Sequence, residues 1–326
     1  KAKKKSKGKE DLFSLNSSYR AYSRMSCQFA WPENIPRPYK GDMTDIELNE
    51  DDQQEIENLN MEFQQKVLNE RSQEKINLMK QELKVKIDKV SKKDKVYDKR
   101  LDDALRTLDS QRELYLAYDN GNKEKLMKYS PKYGEIMKHI LSDKGPKKGL
   151  KFVYTEYKKC EGIGIFSMVL RANGYSPLTV RLVNGEWELK LVEGEEKMPK
   201  YAVWSGDEES DIILNIFNNN FDKLPEKVRK EVLKISPTNK NAEVLEILMT
   251  TKQGAEGLNT KNVRQLHIAE PYWNPVRIDQ VKGRAIRAGS HLELPPKDRN
   301  VDIYIYISKA TKEQISKNVT IMTDFE

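Results

Sequence analysis

Met249-Thr-Thr-Lys-Gln-Gly-Ala-Glu-Gly-Leu-Asn259, then Val263-Arg-Gln-Leu-His-Ile-Ala-Glu-Pro-Tyr-Trp-Asn-Pro275, then Gln280-Val-Lys-Gly-Arg-Ala-Ile-Arg287 form the stretch whose reading decides the rest. The apolar run Val244–Met249 predicts a buried strand, so the glycine-bearing turn falls at its C-terminal end. In open α/β sheets that edge is where ligands bind. Gly254 and Gly257 let backbone N–H groups approach an anion closely, and the threonines add hydroxyl donors. An ordinary strand-to-helix turn is the plainer alternative. From Pro275 the chain is expected to be helical, with Asn274 as its cap. Gln280, Arg284 and Arg287 then fall at i, i+4 and i+7 on one face. Two guanidiniums and an amide there make a clamp for a phosphate leaving with negative charge. The plainer alternative is a basic solvated face paired to acids such as Asp279. Gly283, inside that helix, costs about 1 kcal/mol against alanine, and makes sense where another backbone passes close by. Glu270 reads as the end of its strand rather than a ligand, and mid-strand His267 as a core residue.

Working outward, Lys151–Thr155, Tyr201–Trp204, Val244–Met249 and Val301–Ile307 read as strands alternating with helices at about 160–172, 210–218 and 225–233. That is the pattern of a mostly parallel α/β sheet. Thr179–Val183 and Glu186–Val192 alternate strictly around Asn184-Gly185, a hairpin inserted on the sheet. Ser130 caps a helix that Pro131 opens. Upstream, residues 52–117 have no interior glycine or proline and show apolar residues at helical spacing among charges of both signs. They predict one or two long exposed helices with a break near 90–95. The organisation expected is a basic tail at 1–10, a connector at 11–41, a charged helical insertion at 42–128, and an α/β domain at 129–326.

Composition sets limits. The 326 residues are 37% hydrophobic and 33% charged, and 58 Lys and Arg against 51 Asp and Glu leave a net charge of +7. A mild basic excess is compatible with polyanion binding and weak evidence for it alone. Cys27 and Cys160 stand far apart, no Cys/His spacing suggests a metal site, and a reduced intracellular compartment is the default. No apolar run approaches transmembrane length and no secretory signal is expected. No Gly-x-x-x-x-Gly-Lys-Ser/Thr loop occurs, so the chain lacks the usual triphosphate cradle. Asp207-Glu-Glu-Ser looks like a magnesium-binding acidic box, but it sits in a turn downstream of nothing that could bind triphosphate, and it is set aside.

In this order the pieces resemble motifs V and VI of superfamily 2 helicases. The run from Thr251 to Asn259, Glu270-Pro-Tyr-Trp-Asn-Pro275 and Gln280 to His291 resemble in particular the poxvirus-type helicases of large nucleocytoplasmic DNA viruses, a group with nucleoside triphosphatase I and the early-transcription-factor ATPase. Tyr22 to Pro38 resembles the connector leaving a first motor domain; Ser130-Pro-Lys-Tyr133 and Phe152-Val-Tyr-Thr155 resemble the entry to the second. Chromatin remodellers share the Trp-Asn-Pro and Gln-x-x-x-Arg-x-x-Arg logic. The resemblance implies a RecA-like second helicase domain of the P-loop NTPase type. It implies that Arg284 and Arg287 are arginine fingers on the γ-phosphate of ATP, with Gln280 at the same phosphates and Gly257 and Asn259 by the nucleotide. Thr251, Lys252, Gly254 and Thr155 would touch the nucleic-acid backbone. ATP and Mg2+ would be held mainly by a first RecA-like lobe whose phosphate-binding Lys and magnesium-binding acid this chain lacks, so the chain alone is expected to be inactive. The expected partners are DNA, with RNA as the alternative, and that first lobe, together with viral RNA polymerase or replication proteins. No membrane is expected. The compartments implied are the host cytoplasm, viral factory or virion, with the nucleus as alternative. The competing class is a non-catalytic interaction module in a viral transcription or replication complex.

Overall fold

The computed structural model describes residues 21–38, 97–119, 124–143, 148–251, 258–271 and 275–309. The basic tail, the acidic run, the helices expected over 52–96, Lys252, Gly254, Gly257 and Trp273-Asn274 lie outside those residues. The chain divides into two compact units: 1–22 with 31–110, and 23–30 with 111–326. In the first, residues 97–110 are helical, as the spacing predicts. The second holds the sheet and every described candidate site residue.

In chain order the helices and strands are α1 (Ala21–Ser26), α2 (97–110), α3 (Arg112–Tyr115), α4 (Leu126–Tyr129), α5 (Pro131–Ser142), β1 (Leu150–Tyr154), α6 (Ile163–Ala172), β2 (Ser176–Pro177), β3 (Thr179–Val183), β4 (Glu186–Lys190), β5 (Lys200–Trp204), α7 (Glu208–Phe217), α8 (Glu226–Ile235), β6 (Ile247–Thr250), β7 (Val263–Ile268), α9 (Pro275–Ala285) and β8 (Asp302–Ile305). Six strands form one sheet in the order β2-β5-β6-β1-β7-β8, and every pairing in it is parallel. The central strands β1 and β6 are buried at every position, because crossover helices cover both faces of a parallel sheet. Phe152, Leu248, Leu266 and Ile268 of the sheet join Ile213, Ile216, Val228 and Val281 of the helices in one core.

The departures from expectation have local causes. The strand expected from Val244 begins at Ile247, since the N–H groups of Val244 and Leu245 donate to Asn239 Oδ1 (2.8 and 2.9 Å) rather than to a neighbouring strand. The helix expected from Cys160 starts at Ile163; Cys160 has φ of 49°, which a right-handed helix cannot include. The hairpin pairs Val183 with Glu186 around Asn184 and Gly185, whose φ values of 51° and 82° are those a two-residue type I′ turn demands. It forms its own two-stranded sheet and is held to α8 by the Leu189 N–H on Glu231 (2.9 Å) and by Lys227 on Glu188 (2.5 Å). Ser130 accepts the Tyr133 N–H (3.1 Å), the cap expected of it.

Segment 23–30, part of the expected connector, is pinned to the sheet unit. Ala30 N–H donates to Tyr129 O (2.7 Å), Ser130 Oγ to Gln28 O (2.5 Å) and Gln28 Nε2 to Ala269 O (3.4 Å). Buried Lys151, an odd residue for a central strand, is neutralised by Asp143 (2.7 Å) and Glu246 (2.9 Å).

Candidate functional site

Parallel strands bring their C-terminal ends to one edge. Tyr154 is level with Thr250 on one side and Ile268 on the other, so the segments that follow β1, β6 and β7 converge. Thr155 N–H donates to Thr250 O (3.2 Å) and Ala269 N–H to Tyr154 O (3.0 Å). This edge therefore assembles Thr155, Thr251 and Glu270. Thr155 and Thr251 are only 3% and 8% exposed. The Thr155 hydroxyl is turned inward, donating to Glu270 Oε2 (3.1 Å).

The arginine-bearing segment leaves this edge as α9. The helix starts at Pro275, as expected, but its last residue is Ala285. Arg284 lies on it, half-buried, and Gln280 is exposed. Arg287 lies beyond the helix end, so the single face expected for Gln280, Arg284 and Arg287 holds only for the first two. Ile286 N–H still bonds to Lys282 O (2.9 Å), and Ser290 N–H closes back on Arg287 O (3.0 Å). Arg287 is placed instead by a side-chain bond: its Nη1 donates to Asn259 Oδ1. The candidate nucleotide residues of the glycine turn and of the arginine segment thus meet. A Cβ at exposed Gly283 would have nothing within 4 Å, so nothing in the described chain explains a glycine there.

Several residues that sequence reasoning missed hold this pair in place. Asn218, at the end of α7, donates from Nδ2 to Asn259 O (2.7 Å) and accepts the Lys261 N–H (2.7 Å). Thr260 Oγ1 donates to Arg284 O (2.8 Å), fixing the last turn of α9. Asn262, at φ of 57°, donates its N–H to Ser290 O (3.0 Å). His291 Nε2 lies 2.6 Å from Val263 O and its Nδ1 2.8 Å from Ser290 Oγ; since a carbonyl only accepts, Nε2 carries the proton. The one sequence signal was the polar run Asn218-Asn-Asn220 after an apolar helix.

Glu270 is the other residue the sequence undervalued. It was expected to end its strand, but β7 ends two residues earlier at Ile268, and Glu270 is 2% exposed and accepts the Glu156 N–H (2.5 Å) as well as the Thr155 hydroxyl. Its Oε1 is buried without a hydrogen-bond partner. Burial pushes its pKa up from 4.5 to about 7; the Glu156 N–H opposes this, the Glu156 carboxylate adds to it, and Lys132 and Arg24 oppose it. Glu156 in turn takes Arg277 of α9 on both oxygens (3.0 and 3.1 Å) and the Tyr154 hydroxyl (2.8 Å).

His267 is a core residue, as expected, and Asp207 caps a helix. His267 is fully buried between Tyr306 Oη (2.8 Å) and Gln265 Oε1 (3.2 Å), and burial drives its pKa down to about 3, so it is neutral. Asp207 accepts the Ser210 N–H (2.8 Å) and the Ser205 hydroxyl (2.9 Å) as the cap of α7. Among the described residues no group of three or more His, Cys, Asp and Glu could hold a metal ion. No described helix is long and apolar enough to cross a membrane. For a nucleoside triphosphate the fit is one-sided: Arg287 is exposed and donates to Asn259 through one of its five N–H groups, whereas no phosphate-cradling Gly-Lys-Ser/Thr loop exists in the sequence.

Residues 216–289, from the end of α7 through the arginine segment, match the model of the helicase conserved C-terminal domain. The chain is 33% identical over 192 residues to a termination factor NPH-I homolog of African swine fever virus, covering 56% of this chain and 26% of that protein. It is 32% identical over 187 residues to a putative ATP-dependent RNA helicase of Acanthamoeba polyphaga mimivirus, covering 57% and 31%. It is 31% identical over 185 residues to an early transcription factor large subunit homolog of African swine fever virus, covering 55% and 16%. The chain thus spans under a third of the length of each of these relatives, and the resemblance to superfamily 2 helicases of large nucleocytoplasmic DNA viruses read from its motifs is the one they show.

Proposed function

We propose, from the helicase C-terminal domain carried at residues 216–289, that this chain is the second lobe of an ATP-driven nucleic-acid translocase or helicase serving viral transcription or replication. ATP and Mg2+ would be held mainly by a separate RecA-like lobe. Arg287 and Arg284 would reach the γ-phosphate across the interface, and Gln280 the same phosphates. Gly257 and Asn259 would lie beside the nucleotide. Thr251, Lys252 and Gly254, with the Thr155 turn, would meet the sugar–phosphate backbone of DNA, or RNA as the alternative. Such contacts are salt-sensitive and largely independent of sequence. A termination factor homolog and an early transcription factor subunit homolog among the relatives support the partner and place we favour, a viral RNA polymerase in a cytoplasmic viral factory.

One observation carries this reading most: Arg287 is tied to Asn259, which follows β6 and the glycine-bearing stretch in sequence. An arginine stabilises a transferring phosphoryl group only when it is held in place and open on its far side, and this one is exposed. The open surface at Gly283 leaves room for a second lobe against the same helix. The test is nucleic-acid-stimulated ATP hydrolysis by a protein joining this chain to a P-loop lobe. Arg284→Ala or Arg287→Ala should abolish turnover while fluorescent-ATP binding persists. Unchanged turnover would sink the arginine-finger assignment.

A further inference from the structure

Glu270 poses a physical problem that ending a strand does not solve. A carboxylate at 2% exposure with one oxygen unpartnered is costly, and a neutral residue could follow β7 without that cost. Buried groups of this kind cluster where a site needs them. Its contacts show what it joins. Oε2 gathers the Thr155 hydroxyl (3.1 Å) and the Glu156 N–H (2.5 Å), both in the turn after β1. Thr155 N–H is bonded to Thr250 O, one residue before Thr251. Glu156 grips Arg277 in the first turn of α9 through both carboxylate oxygens. Glu270 is therefore one bond from the edge where a strand of nucleic acid is expected and two from the helix that carries Gln280 and Arg284.

We propose that Glu270 is a positioning residue that locks the Thr155–Glu156 turn to helix α9, so that the nucleic-acid edge and the arginine helix shift as one piece. The proposal rests on the motor-lobe reading and adds to it the residue that transmits between its two edges. The turn is short and Glu270 holds both its side-chain and backbone donors, so displacing either residue loads the Glu156–Arg277 pair directly. Among the described residues, the titratable groups it interacts with are Arg24 of α1, Lys132 and Tyr133 of α5, and Tyr154, Glu156 and Tyr157 at the end of β1. Burial and the Glu156 carboxylate oppose its ionised form and the two cations favour it, so its charge changes near neutral pH.

The experiment uses the two-lobed protein and the variants Glu270→Ala and Glu270→Gln. Glu270→Ala should cut nucleic-acid-stimulated turnover at least tenfold with unstimulated turnover within twofold, and should speed hydrogen exchange of the Glu156 amide. Glu270→Gln keeps an acceptor for that amide; it should restore stimulation to within threefold and lose the pH dependence of stimulation near pH 7. If Glu270→Ala does not fold, the glutamine variant alone decides through its pH profile. Full stimulation in folded Glu270→Ala, or an unaltered limb near pH 7 in Glu270→Gln, would overturn the proposal. A wild-type protein with no stimulated turnover would refute the motor reading; slow Glu156 exchange in Glu270→Ala would then separately refute the lock.

Discussion

Removing the Arg287 guanidinium separates a structural role from a chemical one, because the structure gives very different sizes to the two. Arg287 is exposed, lies beyond the end of α9, and its side chain is held by Asn259. Truncating an exposed side chain with so few ties changes stability by no more than about 0.5 kcal/mol. An arginine finger contributes roughly a thousandfold or more to turnover, which is about 4 kcal/mol of transition-state stabilisation. Arg287→Ala in a two-lobed protein should therefore lose stimulated turnover by about three orders of magnitude at an unchanged unfolding midpoint. Arg287→Lys should recover little, since an ammonium cannot reproduce the planar fork. Asn259→Ala leaves the arginine but frees it, and a hydrogen bond to a charged group on an exposed site is worth roughly one tenfold step in kcat. The assays are steady-state ATP hydrolysis with and without nucleic acid, and thermal unfolding of the same samples. A fall in turnover matched by a fall in the midpoint would make Arg287 a structural residue. Wild-type turnover at a wild-type midpoint would refute the assignment.

Two further predictions concern stability. Lys151→Met leaves Glu246 with Lys148 (2.8 Å) and Tyr175 (2.9 Å), and Asp143 with the Gly149 N–H (3.0 Å); the loss should sit at the lower end of buried-pair breakage, about 3 kcal/mol by urea unfolding. An unchanged urea midpoint would show that the buried network contributes nothing net. His267 has a folded pKa of about 3, below its ordinary 6.5, so the stability it confers is present above pH 6.5 and is lost as pH falls from there toward 3. Glu270 has the opposite sign: its contribution is complete below 4.5 and is lost as pH rises through about 7. His267→Gln should accordingly lose less stability than wild type between pH 6.5 and 4, and an equal loss would contradict the buried neutral imidazole.

The sheet was legible in the sequence because buried parallel strands are apolar at nearly every position, as Ile247–Met249 and, Lys151 aside, Leu150–Tyr154 are. The hairpin was legible because Asn184-Gly185 has one natural conformation between alternating strands. What escaped was set by polar side chains acting at long range. Asn218 lies 41 residues from the carbonyl it holds, and Glu270 lies 114 from the amide it accepts; neither spacing leaves a periodic trace. The end of α9 was misjudged for a related reason. The spacing of Gln280, Arg284 and Arg287 fits a helix face, but the chain turns after Ala285, with Thr260 holding Arg284 O and Asn262 holding Ser290 O. Ser176–Pro177 escaped because two residues carry no pattern.

The most direct test is ATP hydrolysis measured with this chain alone, with a P-loop lobe alone, and with the two joined, each with and without nucleic acid. If the chain supplies one side of a shared site, only the joined form should hydrolyse ATP at a rate that nucleic acid raises. Robust magnesium-dependent hydrolysis by the chain alone, or a joined form no faster than the P-loop lobe, would contradict it.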